Sequence, residues 1–341
     1  MIPRRKHGCF IAVVALFSIA AAGAILNMFS SSRNAWAGNV GAPYLAKDTG
    51  SEPVRPQRVA VCFFGLTRSL RWTLPSIERR LLGVLRDSGI AVDVFVHTFR
   101  LAEVNNNRAG EIGIDYHEFE DDFHALNATR TSVTDQDEFD RAWPDPLSLT
   151  RYKWGYKKED VNYLISNVFR AYWSMATAWS LLVQHSMETN AIYDAVVLAR
   201  PDVWFHVDTD LPKRTFPLPE RTVYLPSFEG DKGMRKNDRF AYGSMTAMGI
   251  LMNRIATLRD PKAASLHGYI DSEWVLGRHL RKNDIKVKTM EFSVTRVRLT
   301  GDIPLFDQER VEEACASGDD PMSCKMVELG FKMPIEVSNQ P

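Results

Sequence analysis

Tyr193-Asp194-Ala195-Val196-Val197-Leu198-Ala199-Arg200-Pro201-Asp202-Val203-Trp204-Phe205 is the stretch whose reading decides the fold. Ala195 to Ala199 is a continuous apolar run between polar residues, with the length and branching of a strand covered on both faces, so it belongs in mid-sheet. The run stops at Arg200-Pro201-Asp202, where proline removes a ladder donor and a cation and an anion stand two residues apart. In an open α/β sheet ligands bind beyond the carboxyl ends of the strands, so this pair is expected at the mouth of a pocket. A plain strand-end salt bridge would use the same two residues.

Working outward, Arg58 to Phe64 reads as a strand, followed by Gly65-Leu66-Thr67-Arg68-Ser69 and a helical pattern from Leu74 to Ser88. Strand, glycine turn and helix form the opening unit of a nucleotide-binding α/β fold. Gly65 allows close backbone approach, and Thr67, Arg68 and Ser69 can offer donors to a phosphate near the helix start. A turn glycine followed by a surface arginine is the plainer account. Ala91 to Phe99 is a second strand ending in polar groups, His97 and Thr98, and the two strands suit a right-handed parallel crossover. Glu103 to Asp145 turns polar and acidic and reads as a surface insertion, with bounds of 103–150.

Apolar residues recur at helical spacing from Val161 to Val183, with Asp160 as N-cap, which makes Tyr172, Trp173 and Trp179 core residues rather than a sugar-stacking platform. Asn167, Arg170 and Ser174 lie on the other side, from which one of them could reach the pocket edge. Beyond the central strand, Asp208 and Asp210 form an aspartate-x-aspartate pair, but they follow the apolar run instead of ending it and rank below Asp202 as metal ligands. Thr222 to Pro226 reads as a strand, and Lys236 to Gly243 as a polar turn leading into a methionine-rich helix that reaches Leu258. Asp271 caps a helix running to Leu280, and Ile285 to Val297 reads as one strand.

The 341 residues carry 42 lysines plus arginines against 42 aspartates plus glutamates, so no basic field points to nucleic acid. The N-terminus departs from this even composition. Arg4, Arg5 and Lys6 precede a nearly unbroken apolar stretch from Cys9 to Phe29, and about 20 such residues span a bilayer. The basic cluster places residues 1–8 in the cytoplasm and the chain from Ser30 onward in a lumen or outside. Ala35-Trp36-Ala37 resembles a cleavage site, but the run exceeds the usual apolar core of a signal peptide, so a retained anchor at 9–29 is the reading preferred. Residues 30–57 then form a flexible stem, rich in serine, glycine, proline and alanine. In an oxidising compartment Cys315 and Cys324, which flank a turn-rich loop, are expected to pair, while Cys62 stays a buried thiol. Asn127-Ala128-Thr129 is a glycosylation sequon.

Taken in order, Gly65-Leu66-Thr67-Arg68-Ser69, the strand from Asp93 to Phe99, Tyr193 to Phe205, Asn237-Asp238-Arg239-Phe240 and Asp271 to Leu280 resemble GT-A-type glycosyltransferases, over roughly Arg58 to Arg298. The resemblance implies one α/β domain, GT-A-like and Rossmann-type, spanning 58–310, with a mostly parallel central sheet flanked by helices, behind the N-terminal transmembrane helix and followed by a C-terminal extension at 311–341. It implies a nucleotide-diphosphate sugar as donor, a glycan or glycoconjugate as acceptor, a Golgi or other secretory-pathway membrane, and a manganese or magnesium ion on an aspartate-x-aspartate motif. Arg200-Pro201-Asp202 occupies that motif, so only its second carboxylate survives. Asp202 could hold a metal or a ribose, and Arg200 could itself neutralise the diphosphate.

The implied donor-binding residues are Gly65, Thr67, Arg68, Ser69, His97, Thr98, Arg200 and Asp202. Asp238, Asp271 and Glu273 are the candidates for the base that an inverting transfer requires. A lumenal sulfotransferase with a phosphate-binding turn at Gly65 to Arg71, and an inactive carbohydrate-binding scaffold of the same fold, are the competing readings. The transferase reading requires Arg200 and Asp202 to meet Gly65, Arg68, His97 and Thr98 at the rim of one crevice.

Overall fold

The run 195–199 is the middle strand of a seven-stranded sheet. The computed structural model describes residues 55–106, 110–143, 158–227, 233–259 and 271–335. The expected anchor and all but the last three residues of the stem lie outside them; among the described residues no helix is long and apolar enough to cross a membrane. In chain order the elements are β1 (Arg58–Phe64), α1 (Leu70–Ile77), α2 (Val84–Asp87), β2 (Ala91–Arg100), β3 (Glu103–Asn106), β4 (Glu111–Asp115), β5 (Arg130–Asp135), α3 (Gln136–Ala142) and α4 (Lys158–Thr189). There follow β6 (Ala195–Ala199), β7 (Val203–Phe205), β8 (Thr222–Pro226), β9 (Phe240–Gly243), α5 (Met245–Met252), α6 (Ser272–Lys282), β10 (Lys286–Met290), β11 (Val294–Arg296), α7 (Leu305–Ser317) and α8 (Pro321–Glu328).

The sheet order is β10-β8-β9-β6-β1-β2-β5, and only β9 runs against the rest. Both faces are covered, which is why β1 and β6 read as unbroken apolar runs. Side chains alternate along each strand. Ala60, Cys62, Phe64, Val196 and Leu198 share a core with residues of α4, α5 and α6, while Val59, Val61, Phe63, Val197 and Ala199 face Leu70, Ile77, Leu81, Leu82 and Leu85. Tyr172 and Trp179 lie in the first core and Trp173 packs against it, as their helical spacing predicts. Successive strands run outward from β1 through β2 to β5, and the chain then returns over the opposite face by α4 to start the other half at β6. The carboxyl ends of β1 and β6 therefore flank the point where the strand order reverses, the place where an open α/β sheet leaves a crevice.

Several expectations are corrected. The first helix begins at Leu70, not Leu74, and is interrupted by a π-helical segment at Glu78–Gly83 that follows Pro75. The acidic stretch from Glu103 is not a plain loop: it holds the β3–β4 hairpin and supplies β5, the edge strand beside β2. Asp160 lies inside α4 rather than capping it. The expected strand from Ile285 to Val297 is two strands in different sheets, β10 beside β8 and β11 antiparallel to β7. Asp271 caps α6 as expected, its Oδ1 accepting from Trp274 N at 3.0 Å. Gly277 is required there, because a Cβ at that position would stand 1.7 Å from the Met234 carbonyl oxygen.

The C-terminal helices close over β7 and β11. Cys315 and Cys324 are disulfide-bonded and join α7 to α8, and Cys62 is buried with its thiol pushed up by burial. Beneath them Asp320 Oδ2 accepts from Trp204 Nε1 at 2.7 Å and lies 3.2 Å from His206 Nδ1, while His206 Nε2 lies 2.6 Å from Thr295 Oγ1. This fully buried network ties the hairpin to the body of the domain.

Candidate active site

At the carboxyl end of β6, Arg200 and Asp202 form a bidentate pair, Nε donating to Oδ1 at 2.7 Å and Nη2 to Oδ2 at 2.6 Å. Asp202 is buried whereas the Arg200 side chain keeps 30% of its exposure. Burial would raise the Asp202 carboxyl, but the guanidinium of Arg200, with Arg68 and Arg298 further off, holds it well below the carboxylate range. Arg68, at the carboxyl end of β1, pairs with the buried Glu111 at 2.9 Å, and Glu111 Oε1 accepts from Leu299 N at 2.8 Å. Arg68 Nε and Ser69 Oγ are buried without a hydrogen-bond partner among the described residues.

Arg298 completes this group. Among the described residues its guanidinium forms no ion pair, and burial, followed by repulsion from Arg68, pushes its pKa down to about 10. A group so placed gains from any anion that enters. A second basic knot adjoins it: the fully buried Asp307 is shared by Arg239 at 3.1 Å, Arg296 at 2.7 Å and Arg310. Because Arg200 N donates to the Arg239 carbonyl at 3.3 Å, this knot is continuous with the end of β6. Arg68, Arg200, Arg239, Arg296, Arg298 and Arg310 thus gather with Asp202, Glu111 and Asp307, and Arg298 is the one of the six without an ion pair among the described residues.

The three expected base candidates also come together. The Ser272 hydroxyl donates to Asp238 Oδ2, Asp271 Oδ2 lies 3.3 Å from Arg235 Nη2, and Glu273 Oε2 accepts from that nitrogen at 2.6 Å. The Glu273 carboxyl is pushed up to about 7, first by burial and then by the charge of Asp238; Arg235, being largely exposed, offsets this only in part. Asp238 also acts on Arg200, so the carboxylates and the arginines share one neighbourhood at the strand ends. Asp271 is committed to capping α6.

The residues after β1 and within β2 are placed differently from expectation. Gly65, at φ +94°, turns the chain and donates its N–H to Ser174 Oγ at 2.8 Å. That hydroxyl also lies 2.7 Å from His97 Nδ1 and donates to the His97 carbonyl at 3.1 Å, while His97 Nε2 lies 2.8 Å from Thr134 Oγ1. With both ring nitrogens engaged and burial pushing it down to about 3, His97 is a neutral tie between β2, α4 and β5 and not a rim residue. Thr67 and Thr98 do meet, at 3.5 Å beside the Tyr116 hydroxyl, but all three are buried, so the single rim expected of Arg200, Asp202, Gly65, Arg68, His97 and Thr98 is not formed: His97 and Thr98 lie in the interior.

A metal does not fit the residues expected to hold it. Both oxygens of Asp202 are engaged by Arg200, and position 200 carries a cation where a second carboxylate would be needed. The aspartate pair downstream is spent as well, Asp208 on Arg80 and Asp210 on Arg214 and the Tyr242 hydroxyl. Among the described residues no group of three or more His, Cys, Asp or Glu side chains is arranged to take an ion.

No family model and no curated protein matches the chain. Two sugar transferases are among the solved structures that do. Mouse xyloside xylosyltransferase 1, in its apo form, matches over 69% of this chain and 84% of that one, at 8% identity and a TM-score of 0.29. The apo form of the glycosyltransferase GlyE from Streptococcus pneumoniae TIGR4 matches over 69% of this chain and 45% of that one, at 9% identity and a TM-score of 0.32. This chain thus spans less than half of the GlyE structure. Superpositions this loose leave the functional reading to rest on the chemistry of the strand ends.

Arg298 and Glu111 are not among the residues that sequence reasoning points to, whereas Ser174, one of the three expected near the pocket edge, does reach the end of β1. Arg298 closes the stretch Arg296-Val297-Arg298, where alternating basic residues at a strand end are a usable signal. Glu111 had none, because its partner Arg68 lies 43 residues earlier, in the turn after β1, while Glu111 itself belongs to the separate β3–β4 hairpin. An open depression of about 490 Å³, lined by Gly233, Met234, Lys236, Leu280, Arg281 and Lys286 among others, runs along α6 and β10 and includes none of the strand-end residues.

Proposed function

We propose that the protein is a glycosyltransferase that moves a sugar from a nucleotide-diphosphate donor to a glycan or glycoconjugate. The observation that carries this reading is the division of charge around the end of β6: Arg298, just past β11 and without an ion pair among the described residues, on one side, and on the other the half-buried Glu273 beside Asp238 at the start of α6. Such a transfer needs a fixed cation for the departing diphosphate and a base for the acceptor hydroxyl. Arg298, with Arg68 and Ser69 behind it, supplies the donors for the diphosphate. Glu273 takes the acceptor proton, and Asp238, held by Ser272, binds sugar hydroxyls. Arg200 acts as the clamp of Asp202, which departs from the role first expected of it.

The hydropathy of residues 9–29 supports a single-pass anchor that keeps the domain in the lumen of the secretory pathway, with Asn127, exposed at a left-handed turn, open to glycosylation. The test is release of nucleoside diphosphate by the full-length protein from a panel of uridine-, guanosine- and thymidine-diphosphate sugars, with and without chelator. Turnover of at least one donor in chelator is expected. Absence of both turnover and nucleoside-diphosphate binding overturns the reading.

One observation favours an inactive scaffold of the same fold, namely the closed Arg200–Asp202 pair. An unchanged glycan profile in cells carrying Glu273→Gln, beside a changed profile in cells lacking the protein, would select it.

A further inference from the structure

Arg254 is a buried arginine two of whose three guanidinium nitrogens have no hydrogen-bond partner among the described residues. Its side chain is fully buried, its Nη1 donates to the Leu251 carbonyl at 3.3 Å, and its guanidinium lies over the Tyr172 ring with Cζ 4.4 Å from the centroid. Nε and Nη2 have no hydrogen-bond partner, and among the described residues no carboxylate pairs with them. These two nitrogens form one edge of the planar group, the edge whose parallel N–H bonds match two oxygens of a carboxylate or phosphate. A guanidinium cannot shed its proton, and a buried charge without a counter-charge costs far more than a buried neutral group. Stacking on Tyr172 offsets only part of that cost. An unpaired fork in such a place calls for an explanation beyond packing.

Its position supplies one. The Tyr172 hydroxyl donates to the Ser272 carbonyl at 3.2 Å, and the Ser272 side chain holds Asp238, so Arg254 stands directly behind the carboxylate wall at the start of α6. His279, on the same helix, is already engaged with Thr257 Oγ1 at 2.6 Å and the Ile250 carbonyl at 2.8 Å and offers no counter-charge. We propose that the Nε/Nη2 edge of Arg254 seats an oxyanion carried by the substrate, a sugar carboxylate or a phosphate, by bidentate pairing. The site takes acidic sugars or sugar phosphates in preference to neutral ones. Only the word substrate rests on the transferase reading; the anion seat stands on the unpaired fork itself.

The experiment is thermal unfolding of the full-length protein at fixed ionic strength with millimolar glucuronate, inorganic phosphate, glucose or chloride, for the wild type, Arg254→Met and Arg254→Lys. Glucuronate or phosphate should raise the Tm of the wild type while glucose and chloride do not, and the anion that acts identifies which source the site serves. Arg254→Met should melt higher than the wild type without anion, because an unpaired buried charge is gone, and should show no anion shift. Arg254→Lys should lose most of the shift, a point charge being unable to pair two oxygens at once.

A wild type indifferent to both anions, an equal shift in Arg254→Met, or an Arg254→Met that melts below the wild type overturns the proposal. Nucleoside-diphosphate binding, measured on the same samples, separates the two readings. Binding without an anion shift ends this inference and leaves the transferase reading; an anion shift without binding does the opposite.

Discussion

The guanidinium of Arg200 closes on the carboxylate of Asp202 two residues later through two hydrogen bonds of 2.7 and 2.6 Å. The pair converts what would be a metal-binding carboxylate into one side of an internal clamp. Removing either partner strands the other, at a cost of roughly 1–3 kcal/mol for a pair of which one member stays partly exposed. Asp202→Asn should therefore lower the Tm. Donor turnover should be the same in chelator and in manganese; a tenfold or greater dependence on manganese would show that the clamp opens to admit an ion.

Arg298 is the cation with most to gain from a ligand. Arg298→Gln should weaken nucleoside-diphosphate binding by about 10-fold or more, the worth of one charge-assisted hydrogen bond, and should leave the affinity for the uncharged nucleoside unchanged. Arg298→Lys should recover part of the loss. Equal weakening for nucleoside and nucleoside diphosphate, read by calorimetry, would mean that Arg298 merely shapes the pocket.

Glu273, with a pKa of about 7, gives the turnover rate a limb that rises with pH through neutrality, since a base must be ionised to accept a proton. Glu273→Gln should abolish that limb and lower kcat by about 10²- to 10⁴-fold. The same shift sets the sign of a stability effect. A carboxyl raised from its ordinary 4.5 favours folding fully below pH 4.5, and that contribution is lost as pH rises toward 7. Glu273→Gln should thus gain Tm over the wild type between those limits and hold a constant advantage above them.

His97 carries the opposite sign. Its pKa falls from an ordinary 6.5 to about 3, so its contribution is complete above pH 6.5 and declines as the pH drops toward 3. Ser174→Ala, which strips partners from His97 Nδ1 and Gly65 N, should cost about 1–3 kcal/mol at neutral pH. Denaturant midpoints at pH 7 and pH 5 check both statements; a Ser174→Ala variant as stable as wild type would show that water replaces the hydroxyl.

Reduction of Cys315–Cys324 offers a further check on the C-terminal hairpin. Releasing a loop of this length should cost about 2–3 kcal/mol in the chain-entropy account. A reductant should lower the Tm without altering nucleoside-diphosphate affinity, because the bridge joins α7 to α8 and touches none of Arg68, Arg200 or Arg298. A parallel fall in affinity would mean that the hairpin positions Arg298.

Apolar period and turn chemistry are local properties, and for that reason β1, β2, β6, the cap of α6 and the cysteine pairing were legible from the residues alone. That Arg200 and Asp202 stand at a strand end, and Asp271 and Glu273 at a helix start, was legible too; that Asp238 lies beside Glu273 was not. Which charges cancel was not legible. Arg68 finds Glu111, Arg200 turns back onto Asp202, His97 meets Ser174 and Thr134, and among the described residues Arg254 and Arg298 are left over, only because distant segments happen to bring, or fail to bring, a carboxylate within reach. Sequence by itself determined the strands and the end of the sheet where polar residues collect, since both depend on side chains near in the chain. Tertiary structure alone decided which of those residues keep an unspent charge, since charge pairing depends on distance in space, and that remainder is what can act on a ligand.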